Sequence, residues 1–452
     1  MPKDQRARLK QWLESGEIRL QPLTYPQREL WETSPVSAED MSNSICAVIE
    51  VRGRLTKEGS MAALQQVVDR QEVFRLSFLP GKEQPMQLIR HTGRPVLGFR
   101  DLPTSQRHPE EIESLTGEVF RTPFDLVQGP LYRAEIFRRG PDDHLLAIAI
   151  HHSIADGWTL GVFVQDLLAA YLQVVRGGGT GLPPVPLSYT SWGAAERSFW
   201  SEVELEVRAE YWRSSLADAP RLWSPSADPA VATGALKRVV SPVSAELGRA
   251  LRDLGRRHGA TLFSTLLAAF QVALSEWTGA DDIVVGTPVA NRGKQAVRET
   301  MGYCSGIVPL RGRIDPSRRF SSSLREVHLA AVDAFANAMP FVELVRAVGE
   351  KSALGYNPVF EVRFALQNHP VPDVAVPGLS LQLRMRSTGT ARFDLACEIC
   401  EEGDALEVAW LFRQGRFAHE AIECLGHMYL AVLAGVCREP DILISNLIFP
   451  IR

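Results

Sequence analysis

The sequence predicts a mixed α/β protein built as two lobes of similar size. Three observations carry that expectation. The chain has 452 residues, more than one hydrophobic core ordinarily organises, and two units of about 200 residues each are the natural division. Gly177 to Pro186 reads GGGTGLPPVP, a glycine and proline density that breaks regular structure. Helical and strand periodicities recur on both sides of that break. The expected division is a first lobe over 1–180, an inter-lobe linker over 181–200 and a second lobe over 201–452.

Each element follows from local pattern. Gln5 to Glu14 reads as a short amphipathic helix with Leu9, Trp12 and Leu13 inward. Ala47 to Val51 reads as a strand, and Met61 to Arg70 as a helix with Leu64, Val67 and Val68 on one side. Leu145 to Ile150 is a continuous apolar strand. Trp158 to Val175 follows as a helix, because Val164, Leu167, Leu168, Tyr171 and Val175 form a core-facing stripe. Beyond the break, Ser244 to His258 is a helix with serine near its N-cap. Thr261 to Trp277 is another, stopped near Gly279. Asp282 to Gly286 is a buried strand by its Ile-Val-Val run, and Ser321 to Ala338 a helix. Val359 to Leu366, Leu379 to Met385, Arg392 to Ile399 and Ala405 to Phe412 read as strands, and Phe417 to Ala434 as a closing helix. There is no short-period repeat and no low-complexity tail.

Composition excludes several function classes. The hydrophobic and charged contents, 45% and 23%, are those of an ordinary globular protein. A net charge of −4 does not point to nucleic acid. No apolar run approaches the ~20 residues that span a bilayer. Met1 to Gly16 lacks the apolar centre of a signal peptide. The expectation is a cytoplasmic protein whose six cysteines are reduced. Cys397 and Cys400 form a lone Cys-x-x-Cys on strand-like sequence, which points the thiols to opposite faces. A zinc or redox site needs more ligands nearby, so no metal is expected.

The chemistry concentrates where the Leu145–Ile150 run ends in His151, His152 and, four residues on, Asp156-Gly157. Adjacent histidines at a strand end point to opposite sides, so one can face a cleft while the other packs. Imidazole suits proton transfer near neutral pH; from the local sequence, structural and catalytic readings are equally open. Opposed side chains make poor joint metal ligands. Asp156 suits a general base, a ligand or half of an ion pair. An ion pair is preferred, with its partner elsewhere in the chain. Gly157, just before a helix, lets backbone amides approach an oxyanion. There is no phosphate-binding loop and no dinucleotide fingerprint. Gly302 to Gly306 is not a nucleophile elbow, because its serine stands one place late. Without a convincing nucleophile, direct transfer between two bound substrates is favoured over an acyl-enzyme.

Further segments recur in a recognisable order. They are Leu23 to Trp31 (LTYPQRELW), Arg70 to Phe78 (RQEVFRLSF), His151 to Gly157, Tyr189 to Trp192, Gly286 to Arg292 (GTPVANR), Met301 to Arg311 (MGYCSGIVPLR), Met339 to Glu343, Asn357 to Phe360 and Phe393 to Leu395. In this order the chain resembles a condensation domain of nonribosomal peptide synthetases, within the chloramphenicol-acetyltransferase-like superfamily. It departs from the family's pattern at Glu29, Gln71 and Ser191, and at Cys304-Ser305-Gly306 in the second-lobe strand.

The resemblance implies two chloramphenicol-acetyltransferase-like lobes forming a pseudo-dimer with an active-site channel between them. A donor enters from one face as an acyl or peptidyl thioester on a carrier protein's phosphopantetheine arm, and an amine or hydroxyl acceptor, carrier-bound or free, from the other. By position His152 is the functional histidine and His151 its structural neighbour. Asp156 pairs with Arg292 across the lobes, and the Gly157 amide lies near the oxyanion. Trp158, Asn291, Ser305 and Gly306 are the expected channel residues. The resemblance further implies a monomer with no permanently bound cofactor and no nucleic-acid or membrane partner.

The rivals are a carrier-independent acyltransferase forming esters from coenzyme A thioesters, an epimerisation domain and a non-catalytic docking relative. The epimerising branch carries a Glu-Gly-His-Gly-Arg run where this chain has Gly286 to Lys294, and the heterocyclising branch replaces the histidines with aspartates. The chain has no room for an adenylation domain and no Gly-Gly-x-Ser carrier segment. It therefore works on carriers in trans or is one domain of a longer protein.

Overall fold

A computed structural model describes residues 3–33, 43–81, 84–177, 181–224, 236–350, 357–367, 374–386 and 393–447. Gly178 to Thr180 of the expected first lobe and Arg392 of the expected Arg392–Ile399 strand lie outside the described residues.

Among the described residues, two six-stranded sheets organise the fold. The first runs, in spatial order, Val374–Val376, Leu379–Arg386, Ser44–Gly53, Asp143–His151, Tyr132–Gly140, Leu97–Asp101. Its central strand is Asp143–His151, antiparallel to both neighbours. Leu145 to Ile150 are all buried, as expected of a strand covered on both faces. The helices Lys57–Arg70 and Gly157–Val175 pack together over this sheet, joined to it in one hydrophobic core. Thr56 caps the first of them, its hydroxyl accepting from the Gly59 amide at 3.1 Å.

The second sheet runs Gly306–Arg313, Asp282–Val289, Val362–Gln367, Leu395–Glu402, Ala405–Arg413, Leu236–Val243. Helices Ala245–Arg257, Leu262–Thr278 and His419–Arg438 complete its core. Ser244 and Thr261 cap the first two, and Gly279 stops the second in the left-handed region at φ 75°. A three-stranded sheet of Ile18–Pro22, Met86–Arg90 and Leu76–Leu79 stands beside the first core.

The expected elements are present with shifted ends, and several differences have physical causes. In helix Lys3–Glu14, Leu9 and Trp12 are half-buried but Leu13 is exposed, so its inward face is narrower than expected. The 181–200 segment is not a simple linker: Tyr189–Phe199 is a helix, with Tyr189 and Trp192 buried in the first core. The glycine and proline density that suggests a linker ends at Pro186. The strand Leu379–Arg386 falls within the expected second lobe by position. It pairs instead with Ser44–Gly53 in the first sheet, and Leu379, Leu381 and Leu383 enter the first core. Alternation reveals a strand's buried face and not its partner.

Helices Gly157–Val175 and His419–Arg438 are long and apolar enough, by length and composition, to cross a membrane, contrary to the expectation of no such run. Their apolar content has a use in the fold, since Phe163, Val164 and Leu168 fill the first core and Leu425, Tyr429 and Leu433 the second.

Candidate active site

The chain turns sharply where the central strand of the first sheet ends. Asp143–His151 passes into a single 3-10 turn, His152–Ile154, and then into helix Gly157–Val175. The two histidines diverge. His151 is buried; its Nδ1 lies 2.7 Å from Ser153 Oγ and accepts from the Ser153 amide at 3.2 Å, and its ring meets Phe124 edge-on at 6.1 Å. His152 is half-buried. Its amide donates to the Asn43 carbonyl at 2.6 Å, and its ring stands 4.6 Å from that of Tyr303, with the planes at 69°. Tyr303 precedes the strand Gly306–Arg313 of the second sheet, so His152 faces the seam between lobes.

Asp156 caps the helix. Its Oδ1 accepts from the Thr159 amide and hydroxyl, both at 3.0 Å. Its Oδ2 accepts from the Cys304 amide at 3.1 Å, the Ser305 amide at 3.3 Å and the Ser305 hydroxyl at 3.1 Å. Arg292 Nη2 reaches both oxygens at 3.2 Å. The same guanidinium donates to the carbonyls of Val297 (2.9 Å), Thr300 (2.5 Å) and Gly302 (3.0 Å). Burial alone would raise the Asp156 pKa; the Arg292 charge and the bonds from Cys304 and Thr159 outweigh it and hold the carboxyl below its usual value. Arg292 is correspondingly raised: burial opposes its charge, and Asp156 more than compensates. The pair is therefore ionised, and its hydrogen bonds reach the backbone on both sides of Tyr303.

The other expected site residues are brought to the same seam. Gly157 is the first residue of the helix. Trp158 Nε1 donates to the Arg298 carbonyl at 2.9 Å, and the Arg292 guanidinium lies 5.9 Å from the Trp158 ring. Ser305 is engaged with Asp156, and half-buried Gly306 opens the strand Gly306–Arg313. Asn291 takes a left-handed backbone, φ 52°, and its Nδ2 lies 3.3 Å from Glu196 Oε1.

Several contributors were not among the expected site residues. Gln71 bridges the lobes: its Nε2 donates to Asp166 Oδ2 (2.8 Å) and the Glu299 carbonyl (2.9 Å), and its Oε1 accepts from the Met301 amide (3.0 Å). Gly302 lies so close to Tyr189 that an added Cβ would meet the ring at 2.1 Å. Gly302→Ala is accordingly expected to destabilise the protein by about 3 kcal/mol, measured as a lowered denaturation midpoint; an unchanged midpoint would show that the seam is loose at this point.

Glu196 is buried on helix Tyr189–Phe199, and its Oε2 has no hydrogen-bond partner among the described residues. Burial pushes its pKa to about 7, against bonds from the Tyr25 amide and Asn291 and the charge of Arg197. A carboxyl raised this way makes the folded state bind more protons than the unfolded one from its ordinary 4.5 up to about 7. Its contribution to stability therefore falls as pH rises through that window. Glu196→Gln should remove this loss, gaining up to about 3 kcal/mol over the parent at pH 8 relative to pH 4. Urea titrations of both proteins at the two pH values measure it, and parallel curves would rule it out.

Cys304, although beside Asp156, is fully buried with its thiol pushed well above its ordinary range, so it supplies no thiolate nucleophile. Cys397 is buried in the second core and Cys400 half-buried, and burial raises both thiols. Among the described residues no group of three or more histidine, cysteine or acidic side chains is placed to hold a metal. What the seam offers is an imidazole at a strand end, a helix N-terminus beside it and a clamped second-lobe loop facing it. These are the parts for proton transfer at a developing oxyanion.

The family profile described as Condensation domain matches residues 17–449. The chain belongs to the condensation-domain family. This domain is 32% identical over 431 residues to phosphinothricin tripeptide synthetase PhsC of Streptomyces viridochromogenes, covering 93% of this chain and 39% of that protein. It is 29% identical over 390 residues to malpibaldin synthetase of Mortierella alpina, covering 85% of this chain and 7% of that one. The chain thus spans well under half the length of these curated relatives. Among solved structures it resembles the first condensation domain of the calcium-dependent antibiotic synthetase, with a TM-score of 0.80 and 20% identity over 94% of this chain and 98% of that one. That likeness shows the two-lobed fold. Condensation domains are acyltransferases of nonribosomal peptide synthesis, the enzyme class that the motif order implied.

Proposed function

We propose that this domain transfers an acyl or peptidyl group from a carrier protein's phosphopantetheine thioester to an amine, forming an amide and releasing the thiol. The observation that carries the reading is the placement of His152. The first lobe presents its half-buried imidazole at the seam, where the clamped Met301–Ser305 loop faces it.

In this mechanism the acceptor nitrogen attacks the thioester carbonyl carbon. His152 orients the amine and takes its proton as the tetrahedral species forms. The Gly157 amide, at the helix N-terminus, lies near the oxyanion. Collapse breaks the carbon–sulfur bond, and the proton passes to the departing sulfur. A hydroxyl acceptor would give an ester by the same steps, with more demand on the base. The domain supplies positioning, a base and oxyanion stabilisation; the phosphopantetheine belongs to the partner carrier. His151 and the Asp156–Arg292 pair act as structure.

The test is intact-mass analysis of an aminoacyl-loaded carrier protein incubated with the domain and a panel of free and carrier-bound amines. A new acceptor product whose mass equals acceptor plus acyl acid minus water supports the reading. Discharge of the carrier to free acid, with no adduct for any acceptor, would count against it. Equal turnover of an acyl-coenzyme A with an alcohol would favour the carrier-independent ester-forming activity.

A further inference from the structure

We infer that Tyr303 is a positioning residue for this reaction: its ring, supplied by the second lobe, sets the orientation of the His152 imidazole of the first. The inference rests on the reading of His152 given above.

An aromatic neighbour can fix the angle of the imidazole. Rotation about the bond from Cβ to the histidine ring is broad and has no sharp staggered minima. His152 sits on a 3-10 turn and is only half-buried, so its own backbone does not determine where the ring nitrogens point. An aromatic ring at 4.6 Å and 69° supplies an angular preference, because the edge of one ring favours the face of the other.

Tyr303 is itself held from both sides. Its carbonyl accepts from the Tyr189 hydroxyl at 3.0 Å, and that hydroxyl lies 3.0 Å from Thr24 Oγ1 of the first lobe. On one side, the Gly302 amide and carbonyl each lie 3.1 Å from Thr159 Oγ1, and that carbonyl also accepts from Arg292. On the other side, the Cys304 amide donates to Asp156. The tyrosine is buried, so its ring has no room to swing into solvent. The buried ion pair therefore ends mechanically at Tyr303, and through Tyr303 at His152. This gives the Asp156–Arg292 pair a route to the chemistry that needs no contact with substrate.

The experiment compares Tyr303→Leu, Tyr303→Phe and His152→Ala by steady-state kinetics with an aminoacyl-loaded carrier protein and an amine acceptor. The His152 ring is also titrated by NMR in the substrate-free protein. Tyr303→Leu should lower kcat by roughly 2–12-fold, the range of one aromatic pair. It should leave the KM for loaded carrier nearly unchanged and move the His152 ring shifts and the pH–rate midpoint. Tyr303→Phe keeps the ring and should recover kcat to within about twofold. If Tyr303→Leu does not fold, Tyr303→Met replaces it, its flexible side chain filling the space without an aromatic face.

A leucine or methionine variant with wild-type kcat and pH profile overturns the inference. So does a phenylalanine variant as impaired as leucine, or a rise in KM alone, which would mark a plain substrate contact. If His152→Ala keeps full turnover, the reading of His152 fails instead, and the NMR titration still reports whether Tyr303 orients the ring.

Discussion

His152→Ala is expected to lower turnover of a carrier-bound thioester by about 10²–10⁴, the ordinary worth of a positioned general base. Stability should change little, because the ring is only half-buried. The His152 backbone amide keeps its bond to the Asn43 carbonyl whatever the side chain. The loss should therefore appear in kcat while the denaturation midpoint holds. Its size should also depend on the acceptor. An amine that is already neutral needs less help from a base, so its loss belongs near the lower bound. A hydroxyl acceptor belongs near the upper one. Turnover within about threefold of the parent for every acceptor would place the chemistry elsewhere. His151→Ala makes the contrast. That side chain is buried against Phe124 and bonded to Ser153, so its removal should act first on stability.

The active-site string was legible because its parts are contiguous. An apolar run, two histidines and an Asp-Gly before a helical stripe need no tertiary information, and the structure places them on one strand, one turn and one helix. The partner of Asp156 lies 136 residues away; spacing cannot find it, and only the family resemblance suggested it. Sheet membership was illegible for a different reason. Leu379, Leu381 and Leu383 mark a buried face, but any unpaired strand edge satisfies that pattern, and the edge they join lies in the other lobe. Glu196 gave no signal at all, since a glutamate late in a helix ordinarily faces solvent. Gln71 stood out only as a departure from the family pattern. The structure shows the amide serving as donor and acceptor at once, bonding Asp166, Glu299 and Met301.

Removing either member of the Asp156–Arg292 pair is expected to destabilise the domain by about 3–5 kcal/mol, because the remaining charge stays buried. Asp156→Ala leaves a guanidinium facing three carbonyls and strands the amides of Cys304 and Ser305, while the Thr159 amide keeps its 3.0 Å bond to the backbone carbonyl of residue 156. Arg292→Ala leaves a carboxylate that still accepts from the Thr159, Cys304 and Ser305 amides, but removes one donor from each of the Val297, Thr300 and Gly302 carbonyls, of which Val297 keeps the Thr300 amide and Gly302 the Thr159 hydroxyl. Each loss is cushioned by what remains, which keeps both near the lower end of the range. Combining the two changes should cost less than the sum of the singles, since the second removes the charge that the first exposed, and a coupling of about 0.5–3 kcal/mol is expected. Urea denaturation of the four proteins closes the cycle, and strict additivity would mean that the pair is not in contact in solution.

Exchanging the two side chains is a poorer test than it looks from sequence. Asp156 is also the helix cap and the acceptor for Cys304 and Ser305, and an arginine there accepts nothing. The swap should therefore recover little even though the contact is real. The pair's pH behaviour separates it from Glu196. With its pKa held below the ordinary 3.8, Asp156 contributes stability above that value and loses it only as pH falls through its lower folded-state pKa. Glu196 acts in the opposite sense, its contribution declining between its ordinary 4.5 and about 7. Acid titration of the parent and of Asp156→Ala should thus differ most above about pH 4 and converge below it. A difference that persisted unchanged into strong acid would mean the carboxylate was never the stabilising partner.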